Sequence, residues 1–192
     1  MELQRCAWCD YDELYRYYHD YRWGKPLFDN HDLFRMLCLE GMQAGLSWYQ
    51  ILQREAAYAE AFEQWDIHKI AQYDERKRAQ LLQNPGIIRN RLKINAIIEN
   101  AKAYERMQAE GINFTDFLWA FVNHQPQINH FATLAEVPTQ TVISQQMSKS
   151  LKQKGFRFVG PTICYAFMQA TGMVCDHLTT CPQHPDNHPK SY

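Results

Sequence analysis

Apolar residues recur along this chain at steps of three and four. From 31 to 53, Leu33, Leu37, Ala44, Trp48 and Ile51 mark one face of a long helix. The same period runs over 75–83, 90–109 (Ile94, Ile97, Ile98, Ala101, Tyr104), 112–121, 139–152 and 161–174, and strand-like alternation is nearly absent. Punctuation agrees with this pattern. Asn84-Pro85-Gly86 separates two helices, and Val137-Pro138-Thr139 precedes another with Thr139 as its N-cap. Gly155 to Pro161 reads as a short hairpin, and Pro161 suits the first turn of the following helix, where a missing amide donor costs nothing. The expected fold is all-α, in two packed helical lobes, with 182–192 as an irregular tail. No repeat, low-complexity tract or long linker interrupts it.

Composition narrows the class. The chain has 192 residues, 46% of them hydrophobic and 14% aromatic, enough for one or two lobes around a real core. Its longest purely apolar run, Phe117 to Val122, is far short of the ~20 residues of a membrane span. Met1 to Trp8 mixes Glu2, Arg5 and Cys6 without an apolar run, so no secretory leader is expected. These features predict a soluble intracellular protein with no membrane partner. The net charge of -1 argues against wholesale phosphate binding but leaves room for a local basic patch. Six cysteines in a reducing compartment are expected to fill the core or bind metal rather than form disulfides.

Four groups of residues could carry chemistry. Cys6 and His19 near one end and His177 and Cys181 near the other make a Cys2His2 set, the last two spaced to point the same way on a helical turn. The spacing alone leaves unliganded residues as an alternative, and Cys9, Cys175, His184 and His188 are equally available. Cys38 and Cys164 lie in apolar helical runs and read as small core residues. Glu40 falls within the arc of Leu33, Leu37, Ala44 and Trp48, where an acid means an ion pair, a stripe edge or a functional pocket. Gly41 and Gly45 beside it leave room for another backbone or a flat ligand. Tyr11, Tyr15, Tyr17, Tyr18, Tyr21 and Trp23 crowd thirteen residues, as ordinary packing or as a stacking surface for a nucleobase. Finally, the segment from Lys154 to Thr162, with Gly155, Phe156, Arg157 and Gly160 and preceded by Lys149 and Lys152, could seat a backbone phosphate. Asn84-Pro85-Gly86 with Arg89, Arg91 and Lys93 is a weaker candidate of the same kind.

Taken together, Arg5-Cys6-Ala7-Trp8, Tyr18-His19-Asp20 with Trp23-Gly24, Cys38-Leu39-Glu40-Gly41 running to Trp48, Phe121 to Pro126, Gly155 to Gly160 with Ile163-Cys164-Tyr165, and Asp176-His177 with Cys181 resemble the bacterial DNA-3-methyladenine glycosylase I family of the helix-hairpin-helix glycosylase superfamily. The match runs from about Arg5 to Cys181. The resemblance implies one glycosylase unit over 1–192, monomeric and cytoplasmic, that flips 3-methyladenine out of alkylated double-stranded DNA and releases the free base. It implies one structural zinc ion on Cys6, His19, His177 and Cys181, a clasp joining the termini. It also implies a base pocket formed by Glu40 with Tyr15, Tyr18 and Trp48. Asp176 falls near the superfamily's catalytic aspartate but adjoins His177, which favours a role in orienting that ligand. Thr162 stands where bifunctional superfamily members carry a nucleophilic lysine, which argues against lyase activity. Two readings from other classes are a zinc-stapled DNA-binding module without catalysis and a hydrolase of small nucleosides.

Overall fold

The structure, a computed structural model, describes residues 3–187. Ten α-helices carry the described residues: α1 Glu13–Tyr21, α2 Asn30–Gln43, α3 Trp48–Leu52, α4 Glu55–Ala61, α5 Ile67–Ala71, α6 Glu75–Gln83, α7 Arg91–Ala109, α8 Phe114–Trp119, α9 Val142–Lys154 and α10 Pro161–Ala170. Most begin on a side chain that accepts the amide three residues on. Asp12, Asp29, Ser47, Asp66, Asp74, Asn90, Asn113 and Thr141 all do this, each satisfying a donor that the helix cannot. α10 starts instead on Pro161 after Gly160, with no side-chain cap.

The helices α6, α7 and α8 lie close to their expected positions, and three expectations need correction. The long helix over 31–53 is broken: α2 stops at Gln43, Gly45 adopts φ +76°, and Ser47 opens α3 in a reciprocal capping box with Gln50. Ala44 and Trp48 therefore do not share a helix with Glu40. The N-cap of α9 is Thr141, not Thr139, because Ser144 returns the hydrogen bond to the Thr141 amide. The last helix ends at Ala170, and Val174–Cys175 (β2) pairs in parallel with Gln127–Ile128 (β1). Periodicity had not announced α4 and α5, which are only seven and five residues long. Of the expected irregular tail, 182–187 is turns, and 188–192 lies outside the described residues.

One continuous cluster of buried apolar side chains runs from Leu33 on α2 to Val174 on β2. α7 packs on α5, α6 and α2, while α10 packs on α9 and α2. The connection between α9 and α10 lies against α2 at Gly41, where an added Cβ would meet Phe158 atoms at 3.2 Å. Asn100 on α7 pins that connection by accepting the Arg157 amide at 2.7 Å and donating to the Arg157 carbonyl at 3.3 Å. Among the described residues no helix is long and apolar enough to cross a membrane.

Candidate functional site

The end of α2, the start of α3 and one face of α1 meet around a cavity of about 340 Å³, within the range of small-molecule sites. α1 contributes Tyr15 and Tyr18, α2 contributes Glu40 and Gln43, and α3 contributes Trp48. Trp8 and Trp23 extend the aromatic wall: Trp8 meets Tyr15 and Trp23 edge-on at 4.9 Å and 5.0 Å, and Tyr18 lies 5.6 Å from Trp48. Although α2 and α3 are separate helices, the turn at 44–47 returns Trp48 to the side of Glu40. Tyr11, Tyr17 and Tyr21 stay exposed and outside the cavity.

The polar groups of this cavity are unusual in what they lack. Glu40 is 4% exposed, and among the described residues no hydrogen bond or ion pair reaches its carboxyl group. Burial pushes its pKa up from 4.5 to about 8. Glu40 also sits in the last turn of α2, where the helix dipole opposes negative charge. The Tyr18 hydroxyl and the Trp48 indole N–H are likewise buried without a partner. An unmade buried hydrogen bond costs about 1–3 kcal/mol, so two such donors beside an unpaired carboxyl group in one cavity point to a ligand that supplies the partners. Burial raises the Tyr15 and Tyr18 hydroxyls well above 10, so both are neutral donors.

Asp176 also lines the cavity but is fully engaged. It accepts from Tyr165 at 2.6 Å, from Asn129 at 2.7 Å and from Gln169 at 2.8 Å. Leu134, Val137, Thr162, Ala166 and Gln169 complete the lining. Sequence reasoning missed most of these, since they lie far from Glu40 along the chain. Gln169 had one local signal, one helical turn after Tyr165 on α10.

The four residues Cys6, His19, His177 and Cys181 are all buried, with donor atoms within 4.8 Å of one another. His177 and Cys181 do not share a helix; a turn closed by the Cys181 amide on the Leu178 carbonyl brings them together. His19 Nε2 lies 3.2 Å from His177 Nδ1, and Cys181 Sγ lies 3.5 Å and 3.6 Å from those nitrogens. Tetrahedral bonds of zinc length place donors about 3.3–3.8 Å apart, so the spacing fits. The remaining nitrogens are pinned: His19 Nδ1 is 2.8 Å from Asp20, itself paired with Arg5, and His177 Nε2 is 3.2 Å from the Trp23 carbonyl. Both partners only accept, so the two inward nitrogens present lone pairs to each other, an arrangement a shared cation relieves. Cys9 stays out of the set, its thiol donating to the Cys6 carbonyl and pushed up to about 11 by burial. Cys38 and Cys164 sit in the core as expected.

Between α9 and α10 the proposed phosphate seat is only partly open. Phe156, expected there, is instead buried against Phe114 at 5.7 Å with its amide on the Leu151 carbonyl. The Gly155 and Arg157 amides are also bonded, and Lys154 pairs with Glu110 at 2.7 Å. The Arg157 side chain and Thr162 are exposed, and Gly160 precedes the uncapped start of α10. In the weaker candidate Lys93 turns inward, its ammonium donating to the Met42 and Ala44 carbonyls at 2.7 Å and 2.6 Å and closing the end of α2. Arg91 pairs with Glu75.

An aromatic box with unmet hydrogen bonds defines a site for a flat, polar aromatic ligand. The chain belongs to the methyladenine glycosylase family, whose profile matches residues 8–184. It is 51% identical over 187 residues to DNA-3-methyladenine glycosylase 1 of Escherichia coli (strain K12), covering 97% of this chain and 100% of that one. Among solved structures it is similar to a crystal structure of 3-methyladenine DNA glycosylase I, with TM-score 0.94 and 52% identity over 95% of this chain and 100% of that one. A tyrosine-to-phenylalanine variant of 3-methyladenine DNA glycosylase I in complex with 3-methyladenine matches with TM-score 0.89 and 38% identity, over 94% of this chain and 97% of that one.

Proposed function

We propose that the chain hydrolyses the N-glycosylic bond of 3-methyladenine in alkylated double-stranded DNA and releases the free base. The observation that carries this reading is the pair of buried, partnerless donors, the Tyr18 hydroxyl and the Trp48 N–H, in one aromatic cavity with the unpaired carboxyl group of Glu40. Methylation at N3 makes the base cationic and a good leaving group, so the task is extraction and recognition more than acid catalysis. Extraction costs a few kcal/mol, least for a damaged pair. Tyr15, Tyr18 and Trp48 offer π faces that favour a cation by about 1–2 kcal/mol when desolvated. Glu40, protonated near neutral pH in the free protein, loses that proton to solvent as the cation enters and accepts hydrogen bonds from the adenine edge. The Tyr18 hydroxyl and the Trp48 N–H supply the complementary donors. Water then attacks the oxocarbenium-like sugar.

The same reading covers the rest of the chain. Residues 1–192 act as a single unit with a lobe from the terminal segments and a central lobe, monomeric and located in the bacterial cytoplasm. α9, the 155–160 connection and α10 serve as a helix-hairpin-helix element that holds the DNA backbone through the exposed Arg157, Gly160 and the first amides of α10 near Thr162, with Gly155 shaping the turn and Lys154 exchanging Glu110 for a phosphate. Thr162 offers no amine to attack the sugar, so no lyase step follows. Cys6, His19, His177 and Cys181 hold one structural zinc, which supplies a cross-link between the two ends and, with four protein ligands, no open position for water. The test is the release of 3-methyladenine from methylated duplex. Glu40→Ala is expected to lower the rate about a hundredfold or more while the helical fold survives. Equal rates for wild type and variant would overturn the assignment.

A further inference from the structure

Apart from the Cys2His2 set, three donor groups from two distant segments converge. His130 follows β1, and His184 and Asp186 lie in the C-terminal turns. His130 Nε2 is 3.2 Å and His184 Nδ1 is 3.7 Å from Asp186 Oδ2, and the two rings are 5.1 Å apart. The three donor atoms lie within 4.8 Å of one another.

His184 is the oriented member. It is fully buried, and its Nε2 lies 3.0 Å from the Asn129 carbonyl, which only accepts. The proton is thus on Nε2 and the Nδ1 lone pair faces Asp186, the arrangement that prepares an imidazole for a metal ion. That lone pair accepts from the Asp186 amide at 3.2 Å, a bond that an ion at Nδ1 has to displace. His130 and Asp186 are 58% and 63% exposed at the side chain, so ions can enter and leave.

We propose that His130, His184 and Asp186 form a second, exchangeable metal site for a late first-row divalent ion such as Zn²⁺ or Ni²⁺. Two imidazoles and one carboxylate select such ions over Mg²⁺ or Ca²⁺, and three protein ligands leave positions for water. The site has a structural consequence. Asn129, whose carbonyl orients His184, also donates to Asp176 in the cavity wall, so a bound ion ties the C-terminal turns to the segment carrying Asn129.

The full chain, purified without a histidine tag and loaded with one equivalent of Zn²⁺, is titrated with Zn²⁺ by calorimetry. Uptake of one further equivalent is expected. His130→Ala and Asp186→Asn change exposed side chains and leave the Cys2His2 set intact, and each should weaken that uptake about tenfold or more. Affinity for Mg²⁺ should be absent. No further uptake, uptake unchanged in both variants, or uptake seen only with dimer formation by sizing would overturn the site. Since the Cys2His2 set is untouched in both variants, loss of the further equivalent reads this site alone.

Discussion

The cavity and the Cys2His2 cluster are both buried polar sites, less than one helix apart on α1, yet they are built in opposite ways. At the cluster both outward imidazole nitrogens have a partner: Asp20 orients His19 and the Trp23 carbonyl orients His177. In the cavity the Glu40 carboxyl, the Tyr18 hydroxyl and the Trp48 N–H have none. Orientation from behind suits a permanent ligand, because the partners keep the inward atoms aimed at one point. Absence of partners suits a ligand that comes and goes, since nothing competes with it for those atoms. The contrast predicts that damage to the cluster is read in stability and damage to the cavity in function.

The largest effect is expected at the cluster. Cys181→Ser should lower stability by several kcal/mol, of order 3 or more, with loss of bound zinc, measured by thermal unfolding and elemental analysis. Activity per folded molecule should be nearly unchanged; loss of activity in a fully folded variant would erase the contrast. Glu40→Gln comes next, with the opposite signature. Base release should fall about a hundredfold, and the pH dependence of kcat/KM near 8, where Glu40 ionises in the free protein, should disappear.

Stability should respond to the same residue with a definite sign. The folded pKa of about 8 lies above the ordinary 4.5, so the folded state holds its proton more tightly. Its contribution is complete below about 4.5 and is lost as pH rises through 8. Glu40→Gln should therefore gain stability over wild type by up to a few kcal/mol between pH 5 and 9, read by denaturant unfolding. A constant difference across that range would contradict the burial of a carboxyl without a partner. Tyr18→Phe sharpens the comparison further: removing a partnerless hydroxyl should leave stability level or raise it by about 1 kcal/mol, while affinity for the base falls about five- to tenfold. The smallest effect concerns the turn between the two halves of the site. Gly45→Ala, at φ +76°, should cost about 1 kcal/mol, with a modest loss of base affinity as Trp48 shifts.

The helices were legible wherever apolar spacing was long and regular, as in α7, and its start is marked by the Asn90 side chain. The break at 44–47 was hidden because Ala44 and Trp48 are spaced as if one helix continued. Only Gly45 and the pairing of Ser47 with Gln50 betray it. Glu40 stood out as an acid on an apolar face, but its lack of a partner is a tertiary fact that no spacing encodes. Asp176, Gln169, Leu134 and Val137 reach the cavity from the far end of the chain for the same reason. Likewise the choice of Cys6 over Cys9, and of His177 over His184, follows from where the turns place each donor. Lys93 shows the converse: a cation beside two arginines reads as a phosphate ligand, while the open carbonyls at the end of α2 draw it inward.

The most direct test of the central claim is the binding of free 3-methyladenine at pH 7.5–8, followed by the signal of the Trp48 indole N–H. Saturable binding that shifts this resonance first, and that weakens about tenfold or more in Glu40→Gln, is the result expected of a cavity whose unmet groups await the base. Equal affinity in Glu40→Gln, or binding that leaves Trp48 unmoved, would contradict it.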